Sequence, residues 1–541
     1  MFTNAHIDAV NRPRNVINLF DANYTIHLAP LKSPPGLVSK NTNNLLPDHP
    51  DVDAFMKYQF TFTDDQDTHT DSIWWDLGIL DDELKTGDIR GPWAPWTKSV
   101  DKNLDMVNII VAETKKRGLE TFYSHRMNGA TDWTPLKKDN PNWLFKYSWI
   151  PDKDAGYWNY AFPEVRKHVL ENLTGLINQY DFDGIQLDYA RGLIFPAGTQ
   201  WENRNELTDL MRSFRKITLE FEKNKNRPFL TAARVPENIV GCHFDGIDIE
   251  AWVREELVDI LVLGCRSLDM DIHSFHNLTK GTNIKLYPSI DDHHACDGYH
   301  NPGIKVFRGL ASNWYRDGAD GIQSFNFNFA PNAPFGNEDW ESHLQFYKEC
   351  HSPKALIGKD KTFIVQRRGG GHGPSVIPNA EDWYTPRHSY ANTSMLSSLP
   401  AAINNDGKVD TLLTIDVADK IKPDDENLKE VTIRLLLSDQ SAQTLPDSER
   451  LDTVIVATWG HIDRRLDNIP AAKGIENHMQ IRLNNSLLEK PVLSKGWIIF
   501  RVEPSQLSVG ENLVGINIRD RDSKSEFNVE IEKLELHVNY I

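Results

Sequence analysis

No stretch of the chain is apolar for the roughly 20 residues that a membrane span needs, and a helical membrane anchor is therefore not expected. Basic surface is scarce too. The formal charge is −18, which excludes general nucleic-acid binding, because neutralising phosphates takes Lys and Arg in excess. Met1 to Ala9 is polar and lacks the apolar core of a leader. Cysteine is sparse: Cys242, Cys265, Cys296 and Cys350 form no CxxC pair and no zinc-ribbon spacing. Cys265 ends an apolar run and reads as a buried thiol, and a Cys242–Cys296 disulfide is left open. There is no serine-nucleophile motif and no HExxH, so a peptidoglycan- or peptide-directed hydrolase finds little support. Gly369-Gly370-Gly371 lacks the Lys-Ser/Thr of a phosphate loop.

What the chain does have is a repeated unit. Val165, Val169, Leu173, Leu176 and Ile177 recur at helical spacing between Pro163 and Tyr180. A turn and a short apolar strand follow, Gly184 to Leu187, ending in Asp188, Tyr189 and Arg191. A helix, a short buried strand and reactive side chains at the strand's carboxyl end make one unit of a parallel α/β fold. The pattern recurs. Strands are expected at Asn15–Phe20, Ser72–Trp75, Leu119–Ser124, Gly184–Leu187, Pro228–Ala233, Val258–Gly264, Ile284–Ile290 and Gly321–Phe325. Helices are expected at Val100–Arg117, Pro163–Tyr180, Leu207–Asn224, Ile249–Glu256 and Ile304–Arg316. Eight strands alternating with helices is the count of a (β/α)8 TIM barrel. After Asp410 the helical period gives way to alternating or apolar runs separated by turn residues, the pattern of an antiparallel β-sandwich. The expected division is a catalytic barrel over 1–350, a linker or crossing strand over 351–380, and a sandwich over 381–541. A chain of 541 residues fits two or three domains.

The barrel reading sends the strand ends to one mouth. The expected catalytic groups are Asp188, His125, Tyr189, Asp291, Asp292 and His293. The expected substrate contacts are Arg126, Asn128, Arg191, Arg234, Arg266 and Asn326. Hydrolysis of a glycoside takes two carboxyl groups across the scissile bond, and Asp188 with Asp291 or Asp292 supplies them. Four strand-end arginines exceed what a neutral sugar requires. Their planar forks match carboxylate or sulfate, so the expected substrate is an oligosaccharide with uronate or sulfated units. The same residues admit elimination, as a lyase or dehydratase, with His125, His293 or Tyr189 moving protons. A non-catalytic glycan receptor is the third reading. No cofactor is expected; a divalent metal at Asp291 and His293 is the alternative use of that cluster. Fifteen Trp and fifteen Tyr, several of them in long loops, suit the apolar faces of sugar rings. The bland alternatives are that these aromatics only pack and that the arginines only brace carboxylates.

Phe182-Asp183-Gly184-Ile185-Gln186-Leu187-Asp188-Tyr189 is similar to the fourth-strand signature of the family-10-like glycosyl hydrolase barrels. Arg234-Val235-Pro236, Gly246 to Val253 with Val258-Asp259, and Gly318 to Ile322 resemble the same group. The resemblance covers about residues 15–330. It implies a (β/α)8 carbohydrate-active barrel, and the appended sandwich resembles the carbohydrate-binding or accessory modules of such enzymes. The Glu pair found at strands four and seven of many barrel glycosidases is missing. A periplasmic or extracellular setting is expected, with a cytoplasmic one left open.

Overall fold

The computed structural model describes residues 2–21, 56, 59–77, 105–128, 135–145, 156–190, 193–264, 267–291, 299, 302–327, 339–367, 397–404, 407–439, 456–458, 461–463, 475–520 and 529–541. They group into two units. One takes in the chain up to Asp291 and from Asp317 to His351. The other takes in most of the helix ending at Asp317 and the all-β region.

The first unit is a closed, all-parallel barrel of eight strands. They are β1 (Val16–Asp21), β2 (Ser72–Asp76), β3 (Glu120–Arg126), β4 (Gly184–Asp188), β5 (Leu230–Val235), β6 (Ile260–Leu263), β7 (Lys285–Ile290) and β8 (Ile322–Phe325). Each pairs with the next, and β8 closes on β1. Among the described residues of the chain, the α-helices of six residues or more are α1 (Asn4–Val10), α2 (Met106–Lys116), α3 (Pro163–Gln179), α4 (Arg204–Lys225), α5 (Ile239–Phe244), α6 (Ile249–Arg254), α7 (Ile272–Thr279), α8 (Ile304–Asp317) and α9 (Asp339–Glu349). In α3 the five apolar residues predicted to share a face are buried. Among the described residues no helix is long and apolar enough to cross a membrane.

The barrel interior follows from strand alternation. Ile17, Leu19, Trp74, Phe122, Leu230, Ala232, Ile260, Val262, Tyr287 and Phe325 form one buried cluster. Trp74 and Phe122 stack with ring centroids 4.6 Å apart and planes nearly parallel. Gly184 is required at its place in this row: a Cβ there would lie 2.5 Å from the Phe122 ring and 2.6 Å from the Leu230 carbonyl. One layer higher the filling is polar. Ser289 donates to Gln323 (2.9 Å), Gln323 to Gln186 (3.1 Å) and Gln186 to Ser124 (2.7 Å). This chain of amides crosses from β7 to β3.

The amino ends of the strands are sealed by the N-terminal segment. Val10 of α1 joins the interior cluster. Arg14 grips Glu120 through two bonds, 2.6 and 2.7 Å. His6 bridges Glu222 (2.7 Å) and Asp259 (2.9 Å), and Asp259 also takes two bonds from Arg215. Burial is the largest influence on His6 and lowers its pKa, but the carboxylates of Asp259 and Glu222 together outweigh it and hold the ring's pKa above 6.5.

The second unit is a two-sheet antiparallel assembly. Its larger sheet contains β9 (Lys361–Ile364), β11 (Leu428–Asp439), β13 (Trp497–Arg501) and β15 (Val529–Tyr540), with short strands at its margins. Its smaller sheet contains β10 (Thr411–Val417), β12 (Met479–Leu483) and β14 (Gly510–Ile518). Alternating residues such as Ile433, Leu435, Leu534, Leu536, Ile481 and Ile516 fill one core. The span expected as linker or crossing strand contributes β9. Helix α8 clusters with this unit: Asn313 donates to the Asp416 carbonyl (3.1 Å) and Lys305 to Asn539 (3.0 Å). Gly309 permits the approach, since a Cβ there would lie 2.2 Å from the Thr362 carbonyl oxygen. Cys242 and Cys350 are buried free thiols; Cys296, the other half of the pairing left open, and Cys265 lie outside the described residues.

Candidate active site

Strand alternation selects which strand-end residues face the mouth. The inward rows run Phe122, Ser124, Arg126 on β3; Gly184, Gln186, Asp188 on β4; and Leu230, Ala232, Arg234 on β5. On β7 the row is Tyr287, Ser289, Asp291. Arg126, Asp188 and Arg234 are register partners across the three adjacent strands. Asp21 and Asp76 are register partners on β1 and β2. The floor beneath them is the Ser289–Gln323–Gln186–Ser124 chain.

Asp188 is buried, at 1% exposure. One of its oxygens accepts the Ala190 N–H at 2.9 Å, and the other faces Arg234 Nη1 at 3.5 Å. Arg234 is equally buried. Its Nε donates to the Gly264 carbonyl at the end of β6 (3.0 Å), and its guanidinium lies 4.5 Å over the Phe325 ring. The ring comes from β8, on the far side of the barrel, so Arg234 reaches across the mouth. Arg126 donates to Asp76 at 2.6 Å, with 27% of its side chain exposed against 2% for Asp76. Asp291 is fully buried just past β7.

Other expected site residues go elsewhere. Tyr189 is turned toward the helices: its hydroxyl sits 3.0 Å from the Met211 sulfur on α4, its ring tilts against Trp252 at 5.4 Å, and burial drives its pKa far up. That corrects the expectation of Tyr189 as a proton carrier at the mouth. Asn128 spends its amide on the chain itself. It donates to the carbonyls of Trp158 (2.8 Å) and Leu193 (2.7 Å) and accepts the Trp158 N–H (2.9 Å). It pins a hairpin formed by Leu144–Phe145 and Tyr157–Trp158 rather than contacting substrate. His125 alternates with Arg126 and so lies on the face of Tyr123, whose ring centroid is 6.0 Å away. Asn326 takes a left-handed backbone conformation, φ 59°, and donates its N–H to the Leu19 carbonyl. Arg191, Arg266, Asp292 and His293 lie outside the described residues. Among the described residues no three His, Cys, Asp or Glu side chains gather as a metal site.

Two carboxyl groups at strand ends were not among the expected site residues. Asp76 directly follows Ser72-Ile73-Trp74-Trp75, and the rule that selected Asp188 would have selected it. Glu237 lies two residues past β5, behind Val235-Pro236. It is 2% exposed, and its Oε2 has no hydrogen-bond partner. Burial pushes its pKa up to about 8; the hydrogen bond from its own N–H is the next influence and lowers it, and the charges of Asp245 and Asp269 add smaller upward pushes.

Comparison with known proteins follows this geometry. The model of the family Glycosyl hydrolase-like 10 matches residues 90–208, a span that holds β3 and β4 with the Phe182–Tyr189 signature. This bears out the family resemblance carried by that signature. No curated protein matches the chain. Among solved structures, a noncanonic maltogenic alpha-amylase, AmyB, from Thermotoga neapolitana is similar at 10% identity and TM-score 0.37, over 93% of this chain and 98% of that one. The PgaB (BpsB) glycoside hydrolase domain from Bordetella bronchiseptica is similar at 10% identity and TM-score 0.39, over 63% of this chain and 99% of that one. An Anoxybacillus alpha-amylase is similar at 10% identity and TM-score 0.38, over 93% and 98%.

Proposed function

We propose that this chain, a closed parallel barrel whose third and fourth strands match the Glycosyl hydrolase-like 10 pattern, hydrolyses glycosidic bonds in oligosaccharides that carry acidic sugars. The observation that carries the reading is the ring of charge at the carboxyl ends of the strands: Asp76 with Arg126, Asp188 with Arg234, and Asp291. Glycoside hydrolysis works with two carboxyl groups on opposite sides of the scissile bond. Asp188 accepts hydrogen bonds on both oxygens, the condition of a base or nucleophile rather than of a proton donor. Asp291 stands just past the end of β7, three strands away around the barrel.

The two arginines have different tasks in this reading. Arg234 is fully enclosed and donates from Nε to the Gly264 carbonyl and from Nη1 to Asp188, so it holds Asp188 in place. Arg126, partly exposed beside Asp76, is in this reading the group that meets a substrate carboxylate or sulfate. A charge-assisted bond of that kind contributes about 1.5–3 kcal/mol.

The test is incubation with acidic plant, algal and animal glycans and with their carboxyl-reduced or desulfated forms, read by product mass. Each cleavage should add one water, and the neutralised forms should react more slowly. Asp188→Asn should lower turnover by about 10²–10⁴ with circular dichroism unchanged. Products with an ultraviolet-absorbing unsaturated uronate would refute hydrolysis in favour of elimination. Equal rates on acidic and neutralised glycans would refute the acidic-substrate reading alone.

A further inference from the structure

We infer that Trp201 is the stacking platform of a second sugar-binding site on the barrel, one that holds a pyranose ring remote from the bond being cleaved; the inference rests on the carbohydrate substrate proposed above. Among the described residues Trp201 is the one Trp, Tyr or Phe side chain that lies exposed, at 41%. It belongs to the connection that leads from the end of β4 at Asp188 to the start of α4 at Arg204. In a parallel barrel that connection lies at the carboxyl end of the strands. Helix α4 passes Tyr189 at Met211, whose sulfur is 3.0 Å from the Tyr189 hydroxyl. The helix begins seven residues earlier, about 10 Å along its axis at about 1.5 Å per residue. Trp201 adjoins that first turn, since its carbonyl accepts the Arg204 N–H at 3.4 Å and Arg204 Nη1 at 2.8 Å. The platform therefore belongs to the outer rim, apart from the Asp188–Arg234 pair.

The turn that carries Trp201 is fixed by its backbone. Gly246, in the connection after β5, has φ 81°, and a Cβ there would lie 2.5 Å from the Gln200 carbonyl oxygen. Asn203 donates its N–H (3.2 Å) and its side-chain amide (2.8 Å) to the Thr199 carbonyl. Polar groups frame the indole. The Arg204 guanidinium lies 4.6 Å over the ring, and the His243 ring on α5 sits 4.5 Å away, tilted by 48°. His243 Nε2 meets the Glu250 carboxylate of α6 at 2.8 Å, and both side chains are more than a third exposed. Val240, one turn before His243 on α5, is exposed as well. With Arg204 and His243 in place, roughly 100 Å² of Trp201 stays open, taking about 250 Å² for a whole indole side chain. A flat apolar surface beside a guanidinium, an imidazole and a carboxylate matches a pyranose, which carries an apolar C–H face and hydroxyl or carboxylate groups at its edge. A tryptophan kept only for packing would be closed over, as Trp74, Trp75 and Trp252 are.

Affinity electrophoresis of the whole chain in native gels containing polygalacturonate, alginate or chondroitin sulfate tests the site. At least one polymer should retard the wild type. Trp201→Ala, with circular dichroism unchanged, should raise the dissociation constant about tenfold, the scale of removing an aromatic anchor. Trp201→Tyr keeps a ring at the same place and should retain most of the affinity. With oligosaccharides of increasing length cut from the retarding polymer, Trp201→Ala should raise KM for the long ones with kcat held, and the effect should fade toward the disaccharide. Losses equal at every length, or retardation indifferent to Trp201→Ala, would overturn the platform and leave the hydrolase reading intact. So would a sedimentation coefficient that falls in Trp201→Ala, which assigns the open face to a second copy of the chain. Retardation that depends on Trp201 without any cleavage would uphold the platform and refute hydrolysis. A wild type that neither binds nor cleaves any of the three polymers would overturn both.

Discussion

Arg234 is the residue on which the mouth's organisation can be tested most directly. Replacing it with methionine keeps a long apolar stem over Phe325 and removes the cation 3.5 Å from Asp188. Both partners are completely enclosed, so the carboxylate left behind loses this cation and, among the described residues, keeps the Ala190 N–H. Removing one partner of a buried pair costs about 3–5 kcal/mol, most of it the penalty on the remaining charge. Asp188→Asn in the same background removes that charge and should restore a large part. The coupling between the two substitutions should reach about 2 kcal/mol, within the usual range for residues in contact. The chain contains two units, so a global melt mixes their transitions. Hydrogen exchange of peptides spanning β4 and β5 reads the barrel alone. Losses that simply add, with coupling under about 0.5 kcal/mol, would refute the argument and reduce the pair to two independent buried groups.

The His6 clamp carries a pH dependence of definite sign. Its folded-state pKa is raised above 6.5 by Asp259 and Glu222 despite burial. Its contribution is therefore complete below the unfolded value and drains away as pH rises through the folded one; exchange protection of α1 should fall over that window, and His6→Gln should flatten the profile. A protection profile independent of pH in wild type would refute it. Gly184→Ala should destabilise the barrel by about 1–3 kcal/mol through overpacking, measured by urea unfolding. Phe122→Leu should rescue only part, because the Leu230 carbonyl is also within 2.6 Å; full rescue would show that the ring alone sets the requirement.

The barrel was legible because its evidence is local. Helical spacing in α3 and the alternation of strand with helix are properties of neighbouring residues, and each of the eight expected strands lies within two residues of its observed bounds. The all-β character of the second half was legible for the same reason. The candidate site was legible only as a collection of strand ends. Asp188, Asp291, Arg126 and Arg234 could be named because they lie within one residue of a strand terminus. Tyr189 and Asn128 also lie close to strand ends and are spent on packing and on tying a hairpin.

The sequence by itself determined that eight strands would end in polar residues at one mouth and that an antiparallel sandwich would follow. Both depend on side-chain periods of 3.6 and 2, which any short window displays. Which of two adjacent strand-end residues faces the barrel axis was decided by the tertiary structure, because register with neighbouring strands sets the inward row. Tertiary structure also decided that Arg234 would neutralise Asp188 from the next strand and would reach Phe325 across the barrel. It enclosed Glu237, two residues past β5, beside the two acidic groups Asp245 and Asp269. It grouped α8 with the sheet that begins at Lys361. These are relations between residues tens to hundreds of positions apart, and a carboxyl group's burial and charge partners come into being only when the chain closes around it.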